Sequence, residues 1–312
     1  MATLRVSLFG GVRVSHGSSA GDVPITKGVQ MLLAYLLLGR HRSHPRETLA
    51  ALFWGDQSDD RARGCLNTTL WRLRRVLEPD DVPRGTYLHT TPSGEVAFNA
   101  DSDYWLDVAI FERHATAGLA KPVQQLSADD AAKMEDALTL YGGELLEGIY
   151  EDWALRERER LRCLHLDSLA HLLAYHRDRG AYERSIAHGR RLLEDDPLRE
   201  EIHREMIRLY LVLGQRSLAV QQYETCRQVL WSELGVQPLP ETQALHASMG
   251  GEPAVLRSKS DSISVSELLR RLRSALHTLD RTRAEMQDVI RLAEQSEEKQ
   301  PTPLPFRARS AR

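Results

Sequence analysis

The chain has 312 residues, of which 42% are hydrophobic and 27% are charged, and its formal net charge is −3. These values are ordinary for soluble folded protein, and the length is enough for two hydrophobic cores. The sequence contains no run of about 18 apolar residues, and its first residues lack the basic head and apolar block of a signal peptide. We therefore expect a cytoplasmic protein and not a membrane protein.

The cysteines and the distribution of charge narrow the possible functions further. Cys65, Cys163 and Cys226 form no C-x-x-C pair, so neither a disulfide framework nor a zinc site is expected from them. Residues 1–104 are nearly neutral, whereas residues 105–250 hold 24 acidic and 17 basic side chains. No region is basic enough for indiscriminate nucleic-acid binding, so a DNA site has to be a local patch.

The first hundred residues change from a strand pattern to a helix pattern. Alternation of Leu4, Val6 and Leu8 predicts a strand, which turns at Gly10-Gly11 and returns, and "VPI" at 23–25 predicts another short strand. An apolar helix is predicted from Lys27 to Gly39, with Thr26 as its N-cap. A second helix is predicted to start near Pro45 and to turn three apolar side chains inward, namely Leu49, Leu52 and Phe53.

The third predicted helix, "ARGCLNTTLWRLRRVL" at 62–77, has one apolar and one basic face. Leucines at 66, 70, 73 and 77 form a single stripe at helical spacing. The opposite face then presents Arg61, Gly64, Thr68, Trp71, Arg72 and Arg75, with Asn67 and Arg74 on its flank. The segment "YLHTTPSGEVAFNA" that follows predicts a hairpin that turns at Pro92-Ser93-Gly94.

A sheet, three helices and a terminal hairpin, in this order, describe a winged helix-turn-helix. A helix of this kind fits the major groove of B-DNA, where Arg is bidentate to guanine, Asn to adenine, and Thr contacts the thymine methyl group. The remaining arginines would bind phosphates. The alternative is an ordinary solvated helix face.

Residues 105–249 are almost entirely helical in pattern and contain a repeat. Gly180 and Gly214 end the first helix of successive helix pairs and lie 34 residues apart, and the same offset aligns Leu172 with Met206 and Ile186 with Val220. This period indicates tetratricopeptide-like helix pairs. The alternating charges between Arg156 and Arg162 predict a salt-bridged, solvated face.

The remaining residues divide into three segments. Residues 250–263 are predicted to be a linker. Residues 264–296 are predicted to form an amphipathic helix with a heptad seam, either an intermolecular coiled coil or a helix that packs back on the repeats. Residues 297–312 are predicted to be a disordered basic tail.

Residues 4–249 resemble the small class of SARP-type regulators (Streptomyces antibiotic regulatory proteins), in which an OmpR-like winged-helix domain precedes a bacterial transcriptional activation domain. The resemblance lies in "LFGGVRV", "RETLAALFW", "ARGCLNTTLWRLRRVLE", "ALTLYGGELLEG", "WALRERERL" and the long run "LREEIHREMIRLYLVLGQRSLAVQQYETCRQVLWSELGVQPLPET". The expected fold is therefore mainly α with a small β component, with the winged helix at 1–104 and the helical activation domain at 105–249.

The resemblance implies a transcription activator of a pathway-specific gene cluster, such as one for a secondary metabolite. It implies binding to promoter direct repeats as a dimer and contact with RNA polymerase and its sigma factor, without a cofactor. The DNA-binding residues expected on the third helix and the hairpin are Arg61, Arg63, Asn67, Thr68, Trp71, Arg72, Arg75, Thr90, Thr91 and Ser93. The hairpin turn lacks Lys and Arg, so an arginine that reaches the minor groove from it is not expected.

Two other classes of function compete with this hypothesis. No H-E-x-x-H, G-x-S-x-G or phosphate-binding glycine loop occurs, and His41 and His44 are expected in a solvated turn, so an enzyme is not expected. A scaffold whose winged helix binds protein instead of DNA remains the alternative, because a fold does not define a function.

Overall fold

The computed structural model describes residues 4–17 and 22–249. The predicted linker, amphipathic helix and basic tail at 250–312 lie outside the described residues. In chain order the elements are β1 (Leu4–Ser7), β2 (Arg13–His16), α1 (Lys27–Leu38), α2 (Arg46–Trp54), α3 (Asp59–Leu77), β3 (Leu88–Thr90), β4 (Val96–Phe98), β5 (Tyr104–Leu106), α4 (Asp107–Leu119), α5 (Ala128–Leu140), α6 (Asp152–Asp178), α7 (Tyr182–Asp195), α8 (Glu200–Val212), α9 (Arg216–Leu234) and α10 (Pro240–Ser248). The predicted class, mainly α with a small β component, is confirmed.

The N-terminal sheet has the strand order β2-β1-β5. β1 runs antiparallel to β2 and parallel to β5, and Leu4, Val6 and Leu8 are completely buried, as their alternation predicts. The strand β5 was not predicted, since three residues are too few to show a period. It straddles the boundary expected between residues 104 and 105.

Three local expectations are wrong. Residues 23–25 form no strand; Val23 N–H donates to the Val14 carbonyl at 2.8 Å, but Pro24 has no N–H with which to continue a ladder. Leu52 of α2 is 40% exposed, whereas Leu49 is buried. His44 does not lie in a solvated turn: it is 4% exposed, packs on Tyr35, and its main chain pairs with that of Val96 in the hairpin.

Consecutive helices of residues 107–234 pack as the hairpins α4–α5, α6–α7 and α8–α9. Gly180 and Gly214 end α6 and α8 with φ angles of 73° and 71°, the left-handed conformation that glycine adopts without strain. The residue after each glycine makes the equivalent hydrogen bond: Ala181 N–H donates to the His176 carbonyl, and Gln215 N–H donates to the Tyr210 carbonyl. The two glycines therefore play equivalent roles, as their 34-residue spacing predicts.

The sheet and the helical hairpins are joined by buried polar contacts. The Asp107 carboxylate, at the start of α4, accepts hydrogen bonds from the N–H groups of Leu8, Phe9 and Val108 at 2.7–3.1 Å. Burial raises the pKa of Asp107, although these N–H groups oppose the shift. These hydrogen bonds fix the end of β1 against α4, and one hydrophobic core runs through the described residues up to Met249, which form one compact unit.

None of the helices in the described part of the chain is long and apolar enough to cross a membrane.

Candidate nucleic-acid interface

The helix α3 is set in place by its leucine stripe. Leu66, Leu70, Leu73 and Leu77 are each at most 4% exposed, so the helix can face the core in only one orientation. Acidic residues occupy its first turn and Arg74 and Arg75 its last, which complements the helix dipole at both ends. The opposite face is therefore held outward along about 28 Å of helix.

All of the α3 residues predicted to bind DNA are exposed. They are Arg61, Arg63, Asn67, Thr68, Trp71, Arg72 and Arg75. Trp71 is 57% exposed, which is unusual for so large an apolar side chain. Within residues 4–17 and 22–249, Arg61, Arg63 and Arg72 make no hydrogen bond or ion pair. The Arg75 guanidinium lies over the Trp71 ring, 5.2 Å from its centroid.

Two polar side chains on this face already have partners in the protein. The Thr68 hydroxyl donates to the Gly64 carbonyl at 3.0 Å, which leaves its methyl group and an oxygen lone pair available. The Asn67 side-chain carbonyl accepts a hydrogen bond from Arg46 at the start of α2. That contact orients the amide, and it brings to the surface an arginine that the sequence analysis did not select.

The hairpin β3–β4 pairs Leu88 with Phe98 and Thr90 with Val96. Thr90 and Ser93 are exposed, whereas Thr91 is half-buried. The Thr91 hydroxyl accepts from the Glu95 N–H at 3.1 Å and contacts the Ser93 hydroxyl at 2.8 Å. Of the three hairpin residues predicted to contact phosphate, Thr91 is therefore the one used to build the turn.

The carboxylate of Glu78 fixes the hairpin relative to α3. Glu78 directly follows α3 and accepts hydrogen bonds from the N–H groups of Gly85, Tyr87 and Leu88 at 2.9–3.0 Å. Arg74 adds a second link, since it donates to the Thr90 hydroxyl at 3.3 Å. The helix and the hairpin consequently present one continuous surface.

Two concavities flank the outward face of α3. One, of about 630 Å³, lies towards α2 and is lined by residues that include Trp54, Arg61, Thr68 and Arg72. The other, of about 740 Å³, lies between α3 and the hairpin, and its basic side chains are Arg46, Arg74, Arg75 and Arg84. Sequence reasoning missed Arg46 and Arg84, because neither lies on the helix whose period was read, and only the fold brings them to the groove.

Comparison with known proteins shows what the chain is similar to. The family model described as "Bacterial transcriptional activator domain" matches residues 106–249. Regulatory protein AfsR of Streptomyces coelicolor is 30% identical over 249 residues, which are 78% of this chain and 24% of that protein. The chain thus spans about a quarter of the length of AfsR.

Relatives of more similar length also match. Transcriptional regulatory protein MoaR1 of Mycobacterium tuberculosis is 26% identical over 222 residues, 69% of each chain. The solved structure of Mycobacterium tuberculosis EmbR, in complex with a low-affinity phosphopeptide, superposes with a TM-score of 0.61 at 20% identity. The superposition covers 88% of this chain and 72% of the EmbR chain, and at this identity it supports only the fold.

The domain match, the relatives and the winged-helix architecture agree with the resemblance found in the sequence. The chain carries a bacterial transcriptional activator domain at residues 106–249, and its similarity to AfsR, DnrI and RedD supports a regulator of the SARP type.

Proposed function

We propose that this protein is a sequence-specific DNA-binding transcriptional activator that inserts α3 into the major groove of promoter DNA. The observation that carries the proposal is the row of exposed arginines on α3 that have no acidic partner among the described residues. Elsewhere in the described chain, acidic side chains pair with many of the arginines, so unpaired guanidinium groups on one face leave their hydrogen-bond donors available.

The residues divide by role according to chemistry. Arg72, Arg75 and Asn67 have side chains that hydrogen-bond to base edges, and the Thr68 methyl group suits a thymine. Arg61, Arg63 and Arg84, with the hydroxyls of Thr90 and Ser93, are suited to phosphate, which sets register without reading sequence. Trp71 supplies an apolar surface for the sugar–phosphate backbone.

Activation is proposed to use the helical domain. Residues 105–250 have an excess of seven acidic side chains, and their partner would be RNA polymerase with its sigma factor. Binding to direct repeats as a dimer would hold two α3 helices on one side of the DNA, and linkage of the two sites would raise apparent affinity. Removal of residues 251–312 tests their part in pairing: monomers by sedimentation, with a halved footprint, would support it, and unchanged dimers would contradict it.

The first experiment is fluorescence anisotropy of the full chain on duplex from its own gene neighbourhood, against a scrambled duplex. Binding should favour the native duplex and should weaken by orders of magnitude between about 50 and 200 mM salt, because bound phosphates release counterions. Arg72→Ala should reduce affinity, whereas Arg216→Ala, the same loss of charge at an exposed position of the helical domain, should not. Absence of binding to either duplex at low salt would favour the protein-binding scaffold.

A further inference from the structure

Three side chains from three different helices converge in the helical domain. They are Glu135 of α5, His176 near the end of α6 and His188 of α7, and one oxygen or nitrogen atom of each lies within 4.8 Å of the others. The Nε2 atoms of His176 and His188 lie 2.8 and 3.3 Å from the same carboxylate oxygen, Glu135 Oε1. The two rings are stacked, with 8° between their planes and 5.4 Å between their centroids.

Imidazole nitrogen and carboxylate oxygen are donor atoms that zinc-type ions bind in proteins. Burial lowers the pKa of His188, although its hydrogen bond to Glu135 opposes the shift. Burial alone would raise the pKa of Glu135, but hydrogen bonds from His176 and His188 and the charge of Arg184 hold it below its ordinary value. A neutral imidazole and an ionised carboxylate are ligand forms of these groups.

The spacing of the ligand atoms is close to that of a tetrahedral site. Zinc binds imidazole nitrogen and carboxylate oxygen at about 2.0–2.2 Å, which places its ligand atoms about 3.4 Å apart. The observed separations of 2.8 and 3.3 Å to Oε1 are shorter than this by about 0.6 and 0.1 Å. Coordination through Nε2 also requires the ring proton to move to Nδ1, the other tautomer of a neutral imidazole.

We propose that Glu135, His176 and His188 form a binding site for a divalent transition-metal ion of the zinc type. Two imidazoles and one carboxylate provide three ligands, and a water molecule would complete the coordination. The ion would tie α5 to the α6–α7 hairpin and so would stabilise the helical domain. Mg²⁺ and Ca²⁺ are not expected here, because they prefer sites made of oxygen ligands alone.

Arg184 acts as a competitor for the carboxylate. Its guanidinium donates to both Glu135 oxygens, at 2.7 and 2.5 Å, and the side chain is 61% exposed. An exposed arginine is free to move into solvent when an ion enters. It nevertheless places a positive charge beside the site, so its removal should tighten metal binding.

The test is isothermal titration of the full-length, untagged chain with zinc chloride alone. One ion per chain is expected at micromolar or tighter affinity, and the melting temperature should rise by about 5 °C when zinc exceeds its Kd 100-fold. Glu135→Gln and His188→Gln should each weaken binding by about 100-fold or more. His41→Gln, which changes an exposed histidine outside the cluster, should leave binding unchanged. The measurement does not involve DNA, so its result tests the metal site independently of the proposed function.

Two results would overturn the proposal. One is absence of saturable zinc binding by the parent chain, which would leave the cluster as a hydrogen-bond network only. The other is binding that survives both Glu135→Gln and His188→Gln, provided that both variants keep the parent's metal-free melting temperature within a few degrees. Arg184→Gln gives an independent check: a gain in affinity of about fivefold or more is expected from removal of a nearby positive charge, and a loss would contradict the ligand assignment.

Discussion

The arginines of α3 and those of α6 differ in what their guanidinium groups contact. On α6, Arg158 donates to the carbonyls of Leu145, Leu146 and Ile149 at 2.8–3.0 Å, and Arg160 binds Glu112 and Glu157. On α3, Arg61, Arg63 and Arg72 have no such partner among the described residues. Both segments are rich in arginine in the sequence. The difference shows that Arg158 and Arg160 of α6 serve the fold, whereas Arg61, Arg63 and Arg72 of α3 are left available for another molecule.

The largest effect is expected at Arg158. Its side chain is 12% exposed, and its loss would remove the side-chain donor shared by three carbonyls of the adjoining loop, where Leu146 has a φ of 53°. Arg158→Ala should lower the free energy of unfolding by about 3 kcal/mol, measured by urea denaturation. Arg158→Lys should recover only part of this, because an ammonium group cannot span the same acceptors. A loss below about 1 kcal/mol in the alanine variant would contradict a structural role.

Acidification should lower the stability of the helical domain by protonating His165. This ring is 1% exposed and stacks on Tyr141, and burial, followed by the charge of Arg191, lowers its pKa to about 4. Since the unfolded chain binds the proton near pH 6.5, stability should fall as the pH drops from about 6.5 to 4, by up to about 3 kcal/mol.

The check is a comparison of urea midpoints at pH 7.5 and 5.5 for the parent and His165→Phe. The phenylalanine retains the stacking and cannot titrate, so the variant should lose less stability on acidification than the parent. An equal loss in both proteins would assign the acid sensitivity to other groups.

Replacement of Arg72 should lower the affinity for DNA and leave the stability of the protein nearly unchanged. Arg72→Ala should weaken specific DNA binding by about tenfold or more, the usual cost of an arginine that contacts a base or phosphate. The unfolding free energy should change by less than about 0.5 kcal/mol, because the guanidinium has no partner in the described chain. An unchanged affinity for DNA together with lower stability would show that Arg72, like Arg158 of α6, serves the fold.

The smallest effect is expected at Gly64, on the outward face of α3. A Cβ added there meets no atom within 4 Å, yet glycine inside a helix costs about 1 kcal/mol relative to alanine. Gly64→Ala should therefore raise the free energy of unfolding by about 0.5–1 kcal/mol in thermal or urea melts. A decrease would show that this face is not free in the folded protein.

Much of this architecture could be predicted because its signals are local. The leucines of α3 are spaced at the helical period, so they alone define which arginines turn outward. The hairpin turn at Gly94 and the helix ends at Gly180 and Gly214 follow from glycine's tolerance of positive φ, since the three residues have φ angles of 85°, 73° and 71°. Sequence was sufficient wherever neighbours along the chain determine the conformation.

The remaining features depend on groups that are distant in sequence. The strand β5 exists because it pairs with β1, whose residues lie 100 positions earlier in the chain, and the burial of His44 results from its pairing with Val96. The charge alternation of α6 predicted a solvated face, but the loop at 145–149 covers Arg158 and makes it an internal donor.

By itself, the sequence determined the leucine stripe, the outward basic face and the 34-residue glycine spacing, because these follow from helical geometry and backbone sterics. Only the tertiary structure decided which charged groups have partners. It brought Arg46 and Arg84 beside α3, covered Arg158, and gathered Glu135, His176 and His188 from three helices. The physical reason is that hydrogen bonds and ion pairs depend on distance in space, which the order of residues along the chain does not specify.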